Sequence, residues 1–269
     1  MATTSQQRED GPIRSTMVAV GLAAFGILAS QFTVLPALLL DPAVITSPLD
    51  ASIASRTLLL TLNFVGFVLA GAIYLAATDR GWSYVDLRPP TKQGWLYILA
   101  GVLGSIVFYV LVSVIVQLLS LPSAGNSVMT YIGDDQTMVL VMIAIVFFFN
   151  APAEEFLFRN IVQKRLYDAF SRVQAVVIAS AIFALIHVVS YAVSESLLAT
   201  VVPVVVVFGG SLIFGLLYAK TDNLFVPIAA HASFNALQFG LIYIALEYDL
   251  EAADSSAALL VDLAAAVPL

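Results

Sequence analysis

Seven long apolar segments constrain this chain more than any other feature. Each approaches or exceeds about 20 residues, the length a helix needs to cross a hydrocarbon core of about 30 Å. Of the 269 residues, 61% are hydrophobic and 11% charged, whereas a soluble domain has about 45–50% and about 25%. We therefore predict an all-α, polytopic transmembrane helical bundle of about seven spans, with eight as the alternative. The predicted spans are 16–40, 56–78, 94–120, 137–163, 173–192, 197–219 and 224–247.

The remaining residues divide into short terminal segments. Residues 1–15 are predicted to be a polar cytoplasmic N-terminus, residues 16–247 the bundle, and residues 248–269 an acidic C-terminal tail. The stretch after Ser15 is too long for the core of a typical signal peptide, so we interpret it as a retained span. The short apolar run that ends at Pro268 is interpreted as a surface helix or a disordered end.

The distribution of lysine and arginine predicts the orientation. With Arg159 placed inside the membrane, nine basic residues fall on one side of the seven-span arrangement and only Arg56 falls on the other. Cytoplasmic loops carry the excess of Lys and Arg, so we expect a multi-pass protein of the cell membrane with a cytoplasmic N-terminus and lipids as partners. No basic patch suggests nucleic acid.

Two features of composition restrict the chemistry and the setting. The chain has no cysteine, which excludes disulfides, thiolate metal sites and a cysteine nucleophile. The net charge is −7 and lysine is rare; acidic, lysine-poor loops fit a cytosol of very high salt, where charges are strongly screened. An archaeal halophile is our expected source, and an ordinary acidic tail is the alternative explanation.

The first candidate motif is Glu154-Glu155-x-x-x-Arg159, at the end of an apolar segment. Charged side chains are rare and costly in hydrocarbon. Glu155 and Arg159 are four residues apart, so they share a helix face and can pair. Glu154 points about 100° away on a helix, which leaves it available to accept and return a proton. A structural ion pair with one extra glutamate is the alternative. Pro152, just before the motif, is expected to break or kink the helix.

The only two histidines lie in two further apolar segments. His187 follows Phe183 by four residues, and Asn235 follows His231 by four, so each pair shares a helix face. Taken alone, His187 is more often a hydrogen-bonded packing residue than a catalyst. His231 and Asn235 could equally be an interhelical hydrogen-bonding pair.

Together the motifs run in the order E-E-x-x-x-R, F-x-x-x-H and H-x-x-x-N. In that order they resemble the CPBP family of intramembrane proteases, which comprises the CAAX prenyl endopeptidase type and its bacteriocin-processing and self-immunity relatives (the ABI domain). The resemblance covers about residues 150–240, within a protease-like region placed at about 130–245. It implies an α-bundle with a water-filled cavity in the membrane, and an endopeptidase that cleaves membrane-associated or lipid-modified peptides. Within the first motif, Glu155 and Arg159 resemble the family's supporting ion pair.

The resemblance also implies catalytic roles. Glu154 resembles the glutamate that activates water, and His187 the histidine that assists it. His231 and Asn235 resemble the pair assigned to the developing oxyanion or to a metal. A glutamate base with polar oxyanion donors is sufficient chemistry for hydrolysis of a peptide bond.

A zinc mechanism is the alternative, with the ion held by His187, His231 and Glu154. Two histidines and a glutamate match a catalytic zinc site with an open position. However, H-E-x-x-H is absent and the three ligands would come from separate helices. Both mechanisms stay open on the sequence.

Two other functions compete with the protease. A membrane scaffold or immunity-type protein of the same family would keep the bundle and bind a partner, but it could lose the polar residues freely. A proton-coupled transporter could also use membrane Glu and His. Against a transporter, the sequence shows no internal repeat of the kind many transporters have.

Overall fold

Seven helices long and apolar enough to cross a membrane make up the bundle. The computed structural model describes residues 11–191 and 196–248, and no strand occurs within those ranges. The predictions of an all-α fold and of seven spans are therefore confirmed, while the prediction for the acidic tail concerns residues outside the described ranges. The helices are α1 (Pro12–Leu40), α2 (Ile53–Ala77), α3 (Lys92–Leu118), α4 (Gln136–Leu166), α5 (Arg172–Tyr191), α6 (Leu197–Thr221) and α7 (Phe225–Glu247).

Short polar residues fix where several helices begin. The first backbone N–H groups of a helix lack partners within it, and Ser, Thr or Asp side chains can accept from them. Ser52 accepts from the Ser55 amide at the start of α2, and Thr91 from the Gly94 amide at the start of α3. Asp135 accepts from the Met138 amide and so begins α4. These side chains set the boundaries in a sequence that is otherwise almost uniformly apolar.

Helix α4 lies at the centre of the bundle and α3 at its edge. Helix α4 contacts α1, α2, α5, α6 and α7, whereas α3 packs on α6 and α7. Along α3, apolar side chains such as Leu96, Leu103 and Val107 are exposed, as expected for a helix face in contact with lipid. The residues of the first candidate motif are fully enclosed because they lie on the central helix.

Helices α1 and α2 make a close backbone contact at Gly66. An added Cβ there would overlap the backbone of Ser30 and Ala29. Small residues at helix contacts in membranes let the backbones approach and gain van der Waals contact. This contact holds the second half of α1, around Ser30, directly against α2.

Pro152, where a break or a kink was expected, does not end α4. The helix widens into a π turn over Val146–Asn150, continues as an α-helical turn over Ala151–Glu155, and widens again over Phe156–Gln163. Proline lacks an N–H and its ring crowds the carbonyl four residues earlier. A π turn uses i→i+5 hydrogen bonds, so the following N–H can serve that carbonyl instead. The two glutamates therefore lie within a continuous but locally widened helix.

Candidate active site

Glu155 is the centre of a buried polar network that joins α4 to α7. Its Oε2 accepts from Arg159 Nε at 2.8 Å, and its Oε1 accepts from His231 Nδ1 at 3.0 Å. Glu155 and Arg159 are both 0% exposed. A carboxylate held by a guanidinium accepts and does not donate, so His231 carries its proton on Nδ1. Glu155 thus neutralises Arg159 and also orients the His231 ring.

The other nitrogen of His231 faces Asn235, one turn later on α7. Asn235 Nδ2 lies 3.1 Å from His231 Nε2 and 3.4 Å from Asn150 Oδ1. The His231 ring also stacks on Phe214 of α6, with ring centroids 4.8 Å apart. One stacked ring and two hydrogen-bonding neighbours, Glu155 and Asn235, therefore hold the imidazole in one orientation.

Asn150 is a site residue that our sequence reasoning missed. It is 0% exposed and lies one turn before Glu154 on α4. An asparagine inside an apolar segment, four residues before a glutamate, was the available signal. Its contact with Asn235 links the beginning of the glutamate turn to α7.

Glu154 differs from its neighbour in its surroundings. It is only 2% exposed, yet its Oε2 has no hydrogen-bond partner among the described residues. His231 Nε2 lies 3.9 Å from that oxygen, which is beyond hydrogen-bond range. Buried polar atoms are nearly always satisfied by protein or water. Glu154 Oε2 is thus suited to hold a water molecule or a substrate group.

His187 is held by the phenylalanine of its own motif. Its Nδ1 lies 2.7 Å from the Phe183 carbonyl oxygen, and the two rings are 4.3 Å apart. Because a carbonyl only accepts, Nδ1 is the protonated nitrogen and Nε2 is left as an acceptor. The Phe183 ring also lies under the Arg159 guanidinium, at 5.3 Å. Phe183 therefore positions both the histidine and the buried arginine.

Two separate cavities are lined by the polar residues of the site. A cavity of about 380 Å³ is lined by Glu154 and His187, together with residues of α1 and α2. A pocket of about 20 Å³ is lined by His231 and Asn235, together with Phe183 and Phe214. The larger space can admit a stretch of peptide. The smaller has room for about one oxygen-sized group, since a single water needs roughly 10–15 Å³.

Of the six candidate residues predicted from the sequence, five lie in contact with one another and the sixth, His187, lies apart from them. Five of them form one cluster, in which each side chain lies within 3.9 Å of another member: Arg159 contacts Glu155, Glu155 contacts His231, and His231 contacts both Asn235 and Glu154. His187 has no direct hydrogen bond to these five in the described part of the chain and shares only the larger cavity with Glu154. The cluster joins α4 to α7, and α5 contributes its histidine across the cavity.

The predicted zinc ligands do not form a metal-binding group. Within residues 11–191 and 196–248, no three His, Asp or Glu side chains stand close enough to hold an ion. In addition, His231 Nε2 faces the amide nitrogen of Asn235 at 3.1 Å, which competes for the lone pair a metal would use. A zinc ion held by His187, His231 and Glu154 would therefore need a different arrangement of these side chains, and the zinc alternative stays a prediction.

The comparisons with known proteins agree with the motifs. Residues 136–237 match the family described as Rce1-like, type II CAAX prenyl endopeptidase Rce1-like. The matched region runs from the start of α4 into α7 and contains every candidate site residue named above. No match was found among curated proteins or among solved structures.

Proposed function

We propose, from the premise that residues 136–237 form an Rce1-like domain, that this protein is an intramembrane endopeptidase with a glutamate-activated water. At the level of the family, the match supports a CAAX-type intramembrane protease. The observation that carries the finer proposal is the buried, unpartnered Oε2 of Glu154 beside a cavity of peptide size. A scaffold has no need for a carboxylate in that position.

The first step is attack by water. Glu154 accepts a proton from a water molecule, and the oxygen attacks the carbonyl carbon of the scissile peptide bond to form a tetrahedral intermediate. His187 lines the same cavity with Nε2 free to accept. It therefore orients the second hydrogen of the water, and its backbone-bonded Nδ1 keeps the ring in place.

The second step is collapse of the intermediate. The developing oxyanion is stabilised by the Asn235 amide in the pocket of oxygen size, and by His231 when its Nε2 carries a proton. Glu155 supports His231 from the opposite side of the ring. Glu154 then returns its proton to the amide nitrogen as the C–N bond breaks. The products are a carboxylic acid and an amine, and Glu154 is again a carboxylate.

The substrate class follows from the place of the site. Glu154 lies well inside α4, so a soluble folded protein cannot reach it. We propose that the substrates are membrane-associated peptides or proteins, with lipid-modified peptides among them. The cell membrane is the proposed location, with the N-terminus in the cytoplasm because the basic residues lie on that side.

The decisive experiment is cleavage of a library of membrane peptides by purified protein in detergent. We expect Glu154→Gln and His187→Ala to reduce cleavage to background while both variants keep the wild-type melting temperature. Asp79→Asn and Leu185→Ala are matched controls, since both positions are exposed and outside the site; they are expected to retain full activity. Full activity in Glu154→Gln would overturn the proposal.

The metal question is decided in the same assay. We expect turnover to survive a strong chelator, because protein groups supply the base and the oxyanion donors. Loss of activity on chelation, with recovery on adding Zn²⁺, would replace the metal-independent mechanism with the zinc alternative.

A further inference from the structure

The larger cavity opens at one end of the bundle. Its walls come from the last part of α1, the first part of α2 and the last turn of α5. Residues 127–131, in the connection before α4, line it as well. All of these parts lie at the same end, because α1 and α5 finish where α2 and α4 begin. Glu154 lies at the inner limit of this space.

The cavity has polar side chains in its lining, although it lies among apolar helices. They are those of Ser30 and Gln31 of α1, Asn63 of α2, Ser127 and Ser190. We call the end of the cavity beside Ser127 and Ser190 its mouth. Gln31 is exposed, as is Val189 on the facing helix α5, so the cavity reaches the protein surface. Side chains of this kind can hold water between the outside and Glu154.

The basic residues lie at the opposite end. In the described part of the chain, exposed Lys and Arg side chains occur at the start of α1, between α2 and α3, and where α5 begins and α6 ends: Arg14, Arg88, Lys92, Arg172 and Lys220. Loops with this excess of Lys and Arg stay in the cytoplasm. The end of the bundle at which the cavity opens is therefore the non-cytoplasmic end.

Arg56 is the one basic residue at the cavity end, and the structure explains the exception. It is 5% exposed, its guanidinium lies 2.8 Å from Asp135 Oδ2, and it donates to the Tyr131 carbonyl oxygen at 2.9 Å. A charge neutralised in this way contributes little to the asymmetry between the two faces. The connections at this end otherwise carry Asp41, Asp50 and Asp134.

From the position of the cavity mouth and the charge asymmetry, we infer that substrates reach Glu154 from the non-cytoplasmic side of the membrane. This inference rests on the proposed peptidase function and narrows its substrate class. The substrates are peptides that have been inserted into or carried across the membrane, and the scissile bond must reach Glu154, near the middle of α4. A peptide terminus held at the cytoplasmic surface would meet the opposite end, where Lys164 Nζ donates to Asp86 Oδ2 at 2.7 Å and to the Tyr84 carbonyl oxygen at 2.8 Å.

The orientation of the cavity can be tested by cysteine labelling, because the chain has no native cysteine. Ser127→Cys lies at the mouth, and Ser83→Cys is the matched control at the other end. We expect a membrane-impermeant thiol reagent to label Ser127→Cys in intact cells and Ser83→Cys only in inverted vesicles. The reverse pattern would overturn the inference.

The route of the substrate is tested with a fluorogenic peptide that bears one apolar segment, selected from the library for cleavage in detergent. We expect Glu154-dependent cleavage when the peptide is added to right-side-out vesicles and none when it is added to sealed inverted vesicles. Cleavage only in inverted vesicles would overturn the inference and leave the peptidase intact. If no library peptide is cleaved in detergent, the proposed function itself fails, and the labelling result then stands as a test of the cavity alone.

Discussion

Two adjacent glutamates in this bundle have opposite environments. Glu155 is held by a guanidinium and an imidazole, whereas one oxygen of Glu154 faces a cavity without a protein partner in the described structure. The difference arises because neighbouring residues on a helix point about 100° apart. One side chain is therefore directed at Arg159 and α7, and the other at the space between α1, α2 and α5.

The Glu155→Gln variant is expected to be less stable than the wild-type protein and to melt at a lower temperature. The substitution leaves Arg159 charged and uncompensated in a fully buried place, and breaking a buried pair in this way costs about 3–5 kcal/mol. The melting temperature of the purified variant in detergent measures this loss of stability. Asp222→Asn is the matched control, because Asp222 pairs with Arg172 at 2.6 Å with the two side chains 49% and 51% exposed, and such exposed pairs contribute about 0–1 kcal/mol. Equal stability of the two variants would contradict the central place given to Glu155.

Asn235→Ala is expected to lower kcat by about 10²–10³ with little change in KM, the usual effect of removing one oxyanion donor. Its amide lies beside the pocket of oxygen size, not in the larger cavity. Steady-state kinetics on a cleaved library peptide measure the split between the two constants. A raised KM with unchanged kcat would assign Asn235 to substrate binding instead.

At the scale of single elements, part of the site could be predicted and part could not. The four-residue spacing of Glu155 and Arg159 was sufficient to predict that they share a face, because both belong to one helix. The contact between Glu155 and His231 joins two helices, so it depends on their relative rotation and depth. The role of Asn150 depends on the same register, and no pattern within one segment contains that information.

The continuity of α4 through Pro152 has a physical reason. A proline in a helix interior removes one hydrogen bond and adds a clash, so a break or a kink was expected before the glutamates. The π turn over Val146–Asn150 absorbs both effects. Helices α1, α2, α5, α6 and α7 enclose this widened helix.

Pro152→Ala is expected to reduce cleavage without loss of stability. Alanine restores the missing N–H, so the widened turn can relax toward α-helical geometry and change the rotation of Asn150 relative to Glu154. Activity and melting temperature are measured together. Wild-type activity would show that the widened turn does not position the site.

Gly66→Leu tests the contact between α1 and α2. A side chain at Gly66 would overlap the backbone of Ser30, so the two helices must separate and the melting temperature is expected to fall. Gly21→Ala is the matched control, because an added Cβ there meets nothing within 4 Å. Equal melting temperatures for the two variants would contradict the close packing.

At the scale of the whole molecule, the number of spans and the charge asymmetry follow from composition along the chain, since both reflect the cost of polar groups in hydrocarbon. The cavity, in contrast, could not be predicted from composition along the chain. Its walls belong to four helices and two connections that are far apart in the sequence, and residues such as Asn63 and Ser190 have no distinguishing pattern. The first half of the chain, which lies outside the matched region at residues 136–237, supplies much of this wall.

Asn63→Phe is expected to lower kcat/KM for long peptides, because the ring would narrow a cavity built by the whole bundle. Val65→Phe is the matched control on the same helix, since Val65 is exposed toward the lipid. Both variants are expected to keep the wild-type melting temperature. An unchanged kcat/KM in Asn63→Phe would show that substrates take another route.

The small pocket beside His231 and Asn235 has a consequence for selectivity. In the proposed mechanism, a space of about 20 Å³ receives a backbone carbonyl, which every peptide has, and is too small for side chains. The chemistry at the bond is then indifferent to sequence, so what distinguishes one polypeptide from another must be decided earlier, by whether an unfolded stretch can thread down to Glu154 at all.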